Sequence, residues 1–352
     1  MLRLGIVGAG RVVSGRYVEV FNKELKNARA VMICDLVPER AEKMAGLMDC
    51  KVASSYEEIL ASPDVDAVLV CTESGNHTGH TRQALMAGKH VIVEKPPAML
   101  PDEVMEMEAL AREKGLMYAP VFQNRLNPSI KKLKTTLEAG RFGKIVLATI
   151  RLRWCRRQDY YEDGWHGTWK MDGGVVNQQA IHHVDALEWI CGPVTNVCAA
   201  QANALNKLEA EDTTVATVQL ASGALGVIEA TTAARPEDFE ASISVVGEKG
   251  MVVIGGIALN RIDTWTFVEK DPEDDSVPEK FSQVVPTGYG LSHGPLLQDI
   301  VDRLAAGNLE PPISAASAAR TVSLVHAIYR SVETGGWVSP DQKSVSARLG
   351  KG

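Results

Sequence analysis

The sequence contains no run of about 18 apolar residues, so nothing in it reads as a membrane span. It has no Cys-x-x-Cys pair. Its six cysteines, Cys34, Cys50, Cys71, Cys155, Cys191 and Cys198, mostly occupy apolar runs. They read as reduced core residues of a cytoplasmic protein, and no metal site is expected from them. An excess of positive charge is also missing. The net charge of −7 argues against a nucleic-acid surface. No internal repeat or low-complexity tract is visible. The opening MLRLGIVGAG begins a strand at once and leaves no room for a signal peptide.

What is present is a globular composition, 45% apolar, and 352 residues, enough for two domains. Up to residue 121 the pattern alternates strand and helix. Strands are expected at Leu2–Val7, Ala30–Asp35, Ala67–Cys71, Val91–Glu94 and Met117–Val121, with helical stretches such as PERAEKMAGLM between them. Near-continuous apolar strands in repeated βα units imply a parallel sheet covered on both faces. From residue 122 to 352 the texture changes. A helix closed by Gly140 leads into a long strand, KIVLATIRLRW, followed by strands whose turns carry SGA and GEKG. This predicts an α/β domain followed by an α+β domain with a large, mostly antiparallel open sheet. Two late helices are expected near 295–306 and 315–333, and the charged stretch 269–280 reads as a surface loop.

The stretch LGIVGAGRVVSGRY puts Gly8, Ala9 and Gly10 directly after the first strand, ahead of Arg11 and Val12. Small residues there let backbone approach a pyrophosphate at a helix N-terminus. Val13 stands where the usual fingerprint has Gly or Ala. Asp35 ends the second strand, where a carboxylate accepts hydrogen bonds from an adenosine ribose. It would repel a 2′-phosphate, which favours NAD over NADP. The plainer alternative is a helix cap. At HVIVEKPP a buried strand ends in Glu94 and Lys95, held by two prolines. In a parallel sheet that edge is the ligand edge. A lysine there either holds charge on a reacting oxygen or forms a strand-end salt bridge.

A second chemical stretch is DGGVVNQQAIHHVDALEWICG, 172–192, read as one helix. At 100° per residue, Val176, Ala180, Val184, Leu187 and Cys191 share one stripe. Gln178, His182, Asp185 and Trp189 share the opposite one. That polar stripe is either solvated or a pocket wall. Upstream, Trp154, Tyr160, Tyr161, Trp165, His166 and Trp169 surround Arg156 and Arg157. Aromatic faces stack on sugars or nicotinamide, and arginines bind phosphates or carboxylates. The bland alternative is a loop held by its own aromatics.

GAGR, the CTESGNHTGHTRQALMAGKHV stretch and EKP at 94–96 together resemble the Gfo/Idh/MocA oxidoreductases over essentially the whole chain. The family's Thr-Pro-x-x-x-His pattern is met by Thr72 and His77, with Glu73 in place of proline. The resemblance implies a Rossmann domain plus a sheet domain that builds dimers or tetramers, and action on sugars, inositols or sugar nucleotides. It implies that Lys95 is catalytic or orients substrate. It also implies that His182 is the acid–base residue, since an imidazole can take a hydroxyl proton near neutral pH. Gln178 falls where the family has an aspartate; it can bind substrate but cannot ionise. Asp185 would orient His182 or a substrate hydroxyl. Asn124 and Arg125, in FQNRLNP at the domain junction, would approach the nicotinamide or substrate. The expected substrate contacts are thus Gln178, Asp185, Arg156, Arg157, Trp165 and Asn124. The expected cofactor contacts are Gly8, Ala9, Gly10, Arg11, Val12, Asp35, Thr72, Glu73, His77, Glu94, Lys95, Arg125 and Trp169. The SGALGVIEATTAARP stretch and the asparagine–glutamine form of the helix look like the sugar-nucleotide 3-dehydrogenases of that family. A UDP-N-acetylglucosamine-type substrate is therefore the leading expectation. A dinucleotide sensor without activity, and a sugar–sugar oxidoreductase that retains its cofactor, are the alternatives.

Overall fold

The structure is a computed structural model that describes residues 1–341 and 344–351. The chain forms two compact units. The first is Met1–Phe122 with Leu291–Ala319; the second is Gln123–Gly290 with Arg320–Gly352.

The first unit is built on six parallel strands: β1 (Leu2–Val7), β2 (Ala28–Cys34), β3 (Lys51–Val52), β4 (Ala67–Val70), β5 (His90–Val93) and β6 (Tyr118–Pro120). Their order is β3-β2-β1-β4-β5-β6. Every residue of β4 is buried, as are Val91–Val93, which is why these segments carry no polar alternation. Four helices alternate with the strands: α1 (Pro38–Met48), α2 (Tyr56–Ala61), α3 (His77–Met86) and α4 (Pro101–Glu113). Because all strands run the same way, the residues leaving β1, β2, β4 and β5 emerge at one edge. Gly8, Asp35, Thr72 and Lys95 are those residues.

The second unit contains α5 (Pro128–Glu138), β7 (Ile145–Arg153), α6 (Val175–Gln178), α7 (Ile181–Cys191), β8 (Val194–Ala202), β9 (Thr213–Leu220), β10 (Leu225–Thr231), β11 (Glu240–Gly247), β12 (Gly250–Gly255), β13 (Arg261–Phe267) and α8 (Val277–Phe281). Its seven strands order as β13-β12-β11-β7-β10-β9-β8. Every pair is antiparallel except β7 with β10. Strand β7 shows the two-sided pattern. Ala148, Ile150 and Leu152 are buried toward the helices, while Leu147 and Arg151 face out. The register sets Leu225 opposite Leu147, Leu147 opposite Val246, and Val246 opposite Met251. These four apolar side chains form a row on the open face, 52, 40, 36 and 47% exposed in that order. Further along the face, Arg153 pairs with Glu229 at 2.6 Å and Glu240 at 3.1 Å.

Helices α9 (His293–Ala305) and α10 (Ala315–Thr334) come last. Two expectations need correction. Stretch 269–280 is not simply a surface loop. Asp274 within it is buried, accepting from Arg141 and from Trp265 Nε1 at 2.8 Å, and the segment then winds into α8. The histidine stretch is not one helix either. It breaks after Gln178 and restarts at Ile181, and both expected stripes are buried up to Glu188.

Candidate functional site

In the first unit, the turn after β1 has no room for a side chain at Gly8. Gly8 has φ +90°, and a Cβ there would stand 2.5 Å from the Cys71 carbonyl oxygen. Around Gly10 a Cβ would meet nothing within 4 Å, so a ligand can approach the backbone there. Ala9 N–H donates to Asp35 Oδ2 at 2.7 Å and Val37 N–H to Asp35 Oδ1 at 2.8 Å. Asp35 therefore ties the glycine turn to the start of α1, and each oxygen keeps a lone pair for a ribose hydroxyl. These residues fit a dinucleotide: a turn open at Gly10, an acid at the next strand end and a helix beginning at Arg11. That helix is unusual. It winds as π turns at Val13–Tyr17 and Val20–Glu24, and fully buried Val13 opens the first. A β-branched residue thus occupies the place of close helix–strand contact, and the helix is wide there. Arg11 is exposed and Val12 half-buried.

The exit of β5 is held from behind. Buried Glu94 accepts from Tyr17 Oη at 2.8 Å and from Lys95 N at 3.1 Å, and His293 Nε2 of α9 lies 3.6 Å from it. Burial raises the Glu94 pKa, and the Lys95 charge and the Tyr17 bond oppose that rise. Buried His77 braces the same exit, with Nδ1 2.7 Å from Pro96 O and Nε2 3.0 Å from Thr72 O. Burial lowers its pKa to about 4. It is neutral at physiological pH and donates to one of the two carbonyls. Thr72 Oγ1 lies 3.0 Å from His80 Nδ1, and Glu73 accepts from Asn76 at 3.0 Å. Glu94 and His77, expected as cofactor contacts, are thus bonded within the protein, around a half-buried Lys95.

In the second unit, His182 sits in the first turn of α7 and is 8% exposed. Four positions earlier, buried Gln178 ends α6 and donates from Nε2 to Asp172 Oδ1 at 2.5 Å. Asp172 Oδ2 accepts from Gly167 N at 2.8 Å, and Asn177 Nδ2 donates to the Asp172 carbonyl at 2.6 Å. Beside them lies Glu211, a buried acid that accepts from Tyr329 Oη at 3.0 Å and Val176 N at 3.1 Å. Burial raises its pKa to about 8, with Asp172 adding to the rise. A side chain on Gly174 would collide with it.

Asp185 accepts a two-pronged contact from Arg125, Nε to Oδ2 at 2.8 Å and Nη2 to Oδ1 at 2.5 Å, and a third bond from Thr321 at 2.9 Å. The Arg125 guanidinium lies 5.4 Å from the Trp189 ring centre. Asn124 and Arg125 are buried. Asp185 is therefore bonded to Arg125 and Thr321, both groups that sequence spacing does not connect. The aromatic stretch holds itself in part. Trp165 stacks on His166 at 3.6 Å, His166 Nδ1 is 2.6 Å from Asp163, and Arg156 pairs with Asp238 at 2.8 Å. Arg157 is exposed. Trp169 packs on Tyr329 and under Arg348. Tyr17, His293, Asp172 and Glu211 were not singled out by sequence as site residues. Only Asp172, just before a Gly-Gly pair, had a local signal.

Residues 2–122 match the profile of an oxidoreductase family with an NAD-binding Rossmann fold, and residues 130–253 match the GFO/IDH/MocA C-terminal domain. Among solved structures, the WlbA dehydrogenase from Bordetella pertussis, in complex with NADH and UDP-GlcNAcA, is 34% identical. The alignment covers 96% of this chain and 97% of that one, with a TM-score of 0.89. A WlbA dehydrogenase from Chromobactrium violaceum with the same ligands is 32% identical over 96% and 95% of the two chains, with a TM-score of 0.88. The inositol 2-dehydrogenase of Rhizobium meliloti is 27% identical over 71% of this chain and 74% of its own.

Proposed function

Since this chain belongs to the Gfo/Idh/MocA oxidoreductases, with their NAD-binding Rossmann fold, we propose that it oxidises a secondary hydroxyl of a nucleotide sugar of the UDP-N-acetylglucosamine type, at C3. The observation that carries the substrate class is the similarity, across nearly the whole of both chains, to the WlbA dehydrogenases that bind NADH and UDP-GlcNAcA. Bound NAD supplies the hydride acceptor. The chain's own residues supply the rest. The turn at Gly8–Gly10 and Asp35 hold the dinucleotide, Lys95 hydrogen-bonds the reacting oxygen, and His182 takes the hydroxyl proton. Gln178 binds substrate by hydrogen bonding. Arg156 and Arg157 are the cations assigned to a diphosphate, with Asn124 and Trp165 as further substrate contacts. The buried brace behind Lys95 supports its role, because a reacting oxygen tolerates little misplacement.

The test is NADH formation, followed by absorbance, with nucleotide sugars, free sugars and inositols offered in turn. Oxidation of a UDP-N-acetylhexosamine or its uronic acid in preference to the others is expected. Preference for an inositol or a free sugar overturns the substrate class. No NADH with any of them overturns the function.

The open sheet face supports an assembly. A four-residue apolar row beside paired arginines and glutamates suits an isologous contact with a second copy. The protein is proposed to be a homotetramer built on this sheet.

A further inference from the structure

We infer that Asp172 is a positioning residue that fixes Gln178 as a hydrogen-bond acceptor, so that the site selects a substrate carrying a donor, a hydroxyl or an amide N–H, at that point. The inference rests on the proposed function for what Gln178 meets, and on geometry for how it is held.

An amide side chain has a donor end and an acceptor end, and nothing local decides which faces a ligand. Here the partner decides. Asp172 accepts the Gly167 N–H at one oxygen and meets the Gln178 amide 2.5 Å from the other. It is buried, next to a second acid. Each Asp172 oxygen receives an N–H, the arrangement that stabilises a carboxylate. A carboxylate cannot donate, so Gln178 turns its NH₂ group to Asp172. The end turned away from Asp172 is the carbonyl oxygen. The Asn177 Nδ2 bond to the Asp172 carbonyl adds a second tie between the turn and α6. An incoming carboxylate or bare carbonyl would meet an acceptor and lose a hydrogen bond, whereas a hydroxyl would gain one.

The diagnostic experiment exchanges the two polarities. Gln178→Glu alone sets two carboxyl groups against each other, and the substrate KM is expected to rise at least ~10-fold, the loss of about one charge-assisted bond. Asp172→Asn alone offers an NH₂ to an NH₂ and is expected to raise KM about 10-fold as the Gln178 amide turns over. When the two changes are combined, the introduced asparagine receives Gly167 N–H on its oxygen and donates to the introduced glutamate, whose other oxygen is again an acceptor. KM in the double variant should return to within about 3-fold of the unmodified enzyme, far from the product of the two losses. A urea-unfolding cycle on the same four proteins should show favourable coupling between the positions. Multiplying KM effects would overturn the inference. So would coupling in stability with unchanged KM throughout, which is the signature of a packing role alone. If the unmodified protein oxidises no sugar, the functional reading fails and the selectivity for a donor falls with it. The stability cycle then still decides whether Asp172 sets the amide, and absence of coupling there sinks that part too.

Discussion

Tyr17 and Glu94 are 77 positions apart and share a buried 2.8 Å hydrogen bond. The tyrosine comes from the wide helix after the glycine turn, the glutamate from the end of β5. The bond joins the element that begins at the dinucleotide turn to the residue immediately before Lys95. Tyr17→Phe should leave Glu94 short of a donor and cost about 1–3 kcal/mol, the penalty for an unsatisfied buried acceptor. Turnover should fall about 10-fold, or about 1.4 kcal/mol of barrier. NAD affinity should stay within about 2-fold, since one brace is lost and no dinucleotide contact is touched. Thermal unfolding and single-substrate kinetics check both halves, and turnover unchanged in a destabilised protein would separate folding from function.

Lys95 and His182 are proposed to act on the same reacting hydroxyl. Lys95→Ala should lower turnover about 10²-fold or more, and His182→Ala about 10²–10⁴-fold. The double variant should be less impaired than the product of the single losses. Steady-state rates on four proteins measure this, with NAD binding followed separately and expected to hold. Near-normal turnover of His182→Ala at every pH would move the base elsewhere.

Cofactor choice rests on Asp35, whose carboxylate is already fixed by Ala9 N–H and Val37 N–H. NAD should bind more tightly than NADP, because a 2′-phosphate would meet that anion. Asp35→Ala should narrow the gap while weakening NAD as well, since the glycine turn loses its anchor. Fluorescence titration of both nucleotides decides it; equal or tighter NADP binding by the unmodified protein would be decisive against.

Glu211 makes stability depend on pH. Its folded pKa, about 8, lies above the ordinary carboxylate value of about 4.3. Between those values the native state binds more protons than the unfolded chain, so this group's contribution is full at low pH and falls as pH rises toward 8. Glu211→Gln removes the titration. Urea midpoints at pH 5.5 and 8 should show the variant gaining on the parent as pH rises, and a parallel shift at both would refute the assignment.

The open sheet face gives the last expectation. Leu147→Asp puts a charge in the centre of the apolar row and should shift a tetramer toward smaller species by light scattering, with little change in the stability of the separated chain. A monomer in the unmodified protein at micromolar concentration would remove the assembly altogether.

Much of the frame was legible because it is written in local patterns. The apolar runs of β1, β4 and β5 have no polar alternation, and the glycine turn and Asp35 follow the strands they end. The break between Gln178 and Ile181 was hidden, because Gln179 and Ala180 are ordinary helix residues that keep αR dihedrals while the hydrogen bonds slip, Ala180 N–H to Val175 O and His183 N–H to Ala180 O. Arg125 with Asp185, Tyr17 with Glu94, and Asp172 with Gln178 were hidden for different reasons. The first two are long-range pairs. The third spans six positions across a turn, where no period relates the two side chains. Nor does any local signal show that Leu291–Ala319 packs with the first unit, where His293 stands 3.6 Å from Glu94.

The π-wound helix that begins at Val13 carries a consequence for counting. A π turn holds one residue more than the α turn it replaces, so everything beyond it is rotated by about 100° relative to an unbroken α-helix. Tyr17 reaches Glu94 in that shifted phase. Deleting a single exposed residue between Val13 and Tyr17, such as Ser14, would be harmless by composition. It would take out the extra residue and let the segment rewind as an α-helix with the tyrosine still facing its acid, whereas rewinding at unchanged length would carry the tyrosine about 100° away. Here length and winding have to match, more than any surface residue has to be kept, for Tyr17 to stay on Glu94 beside Lys95.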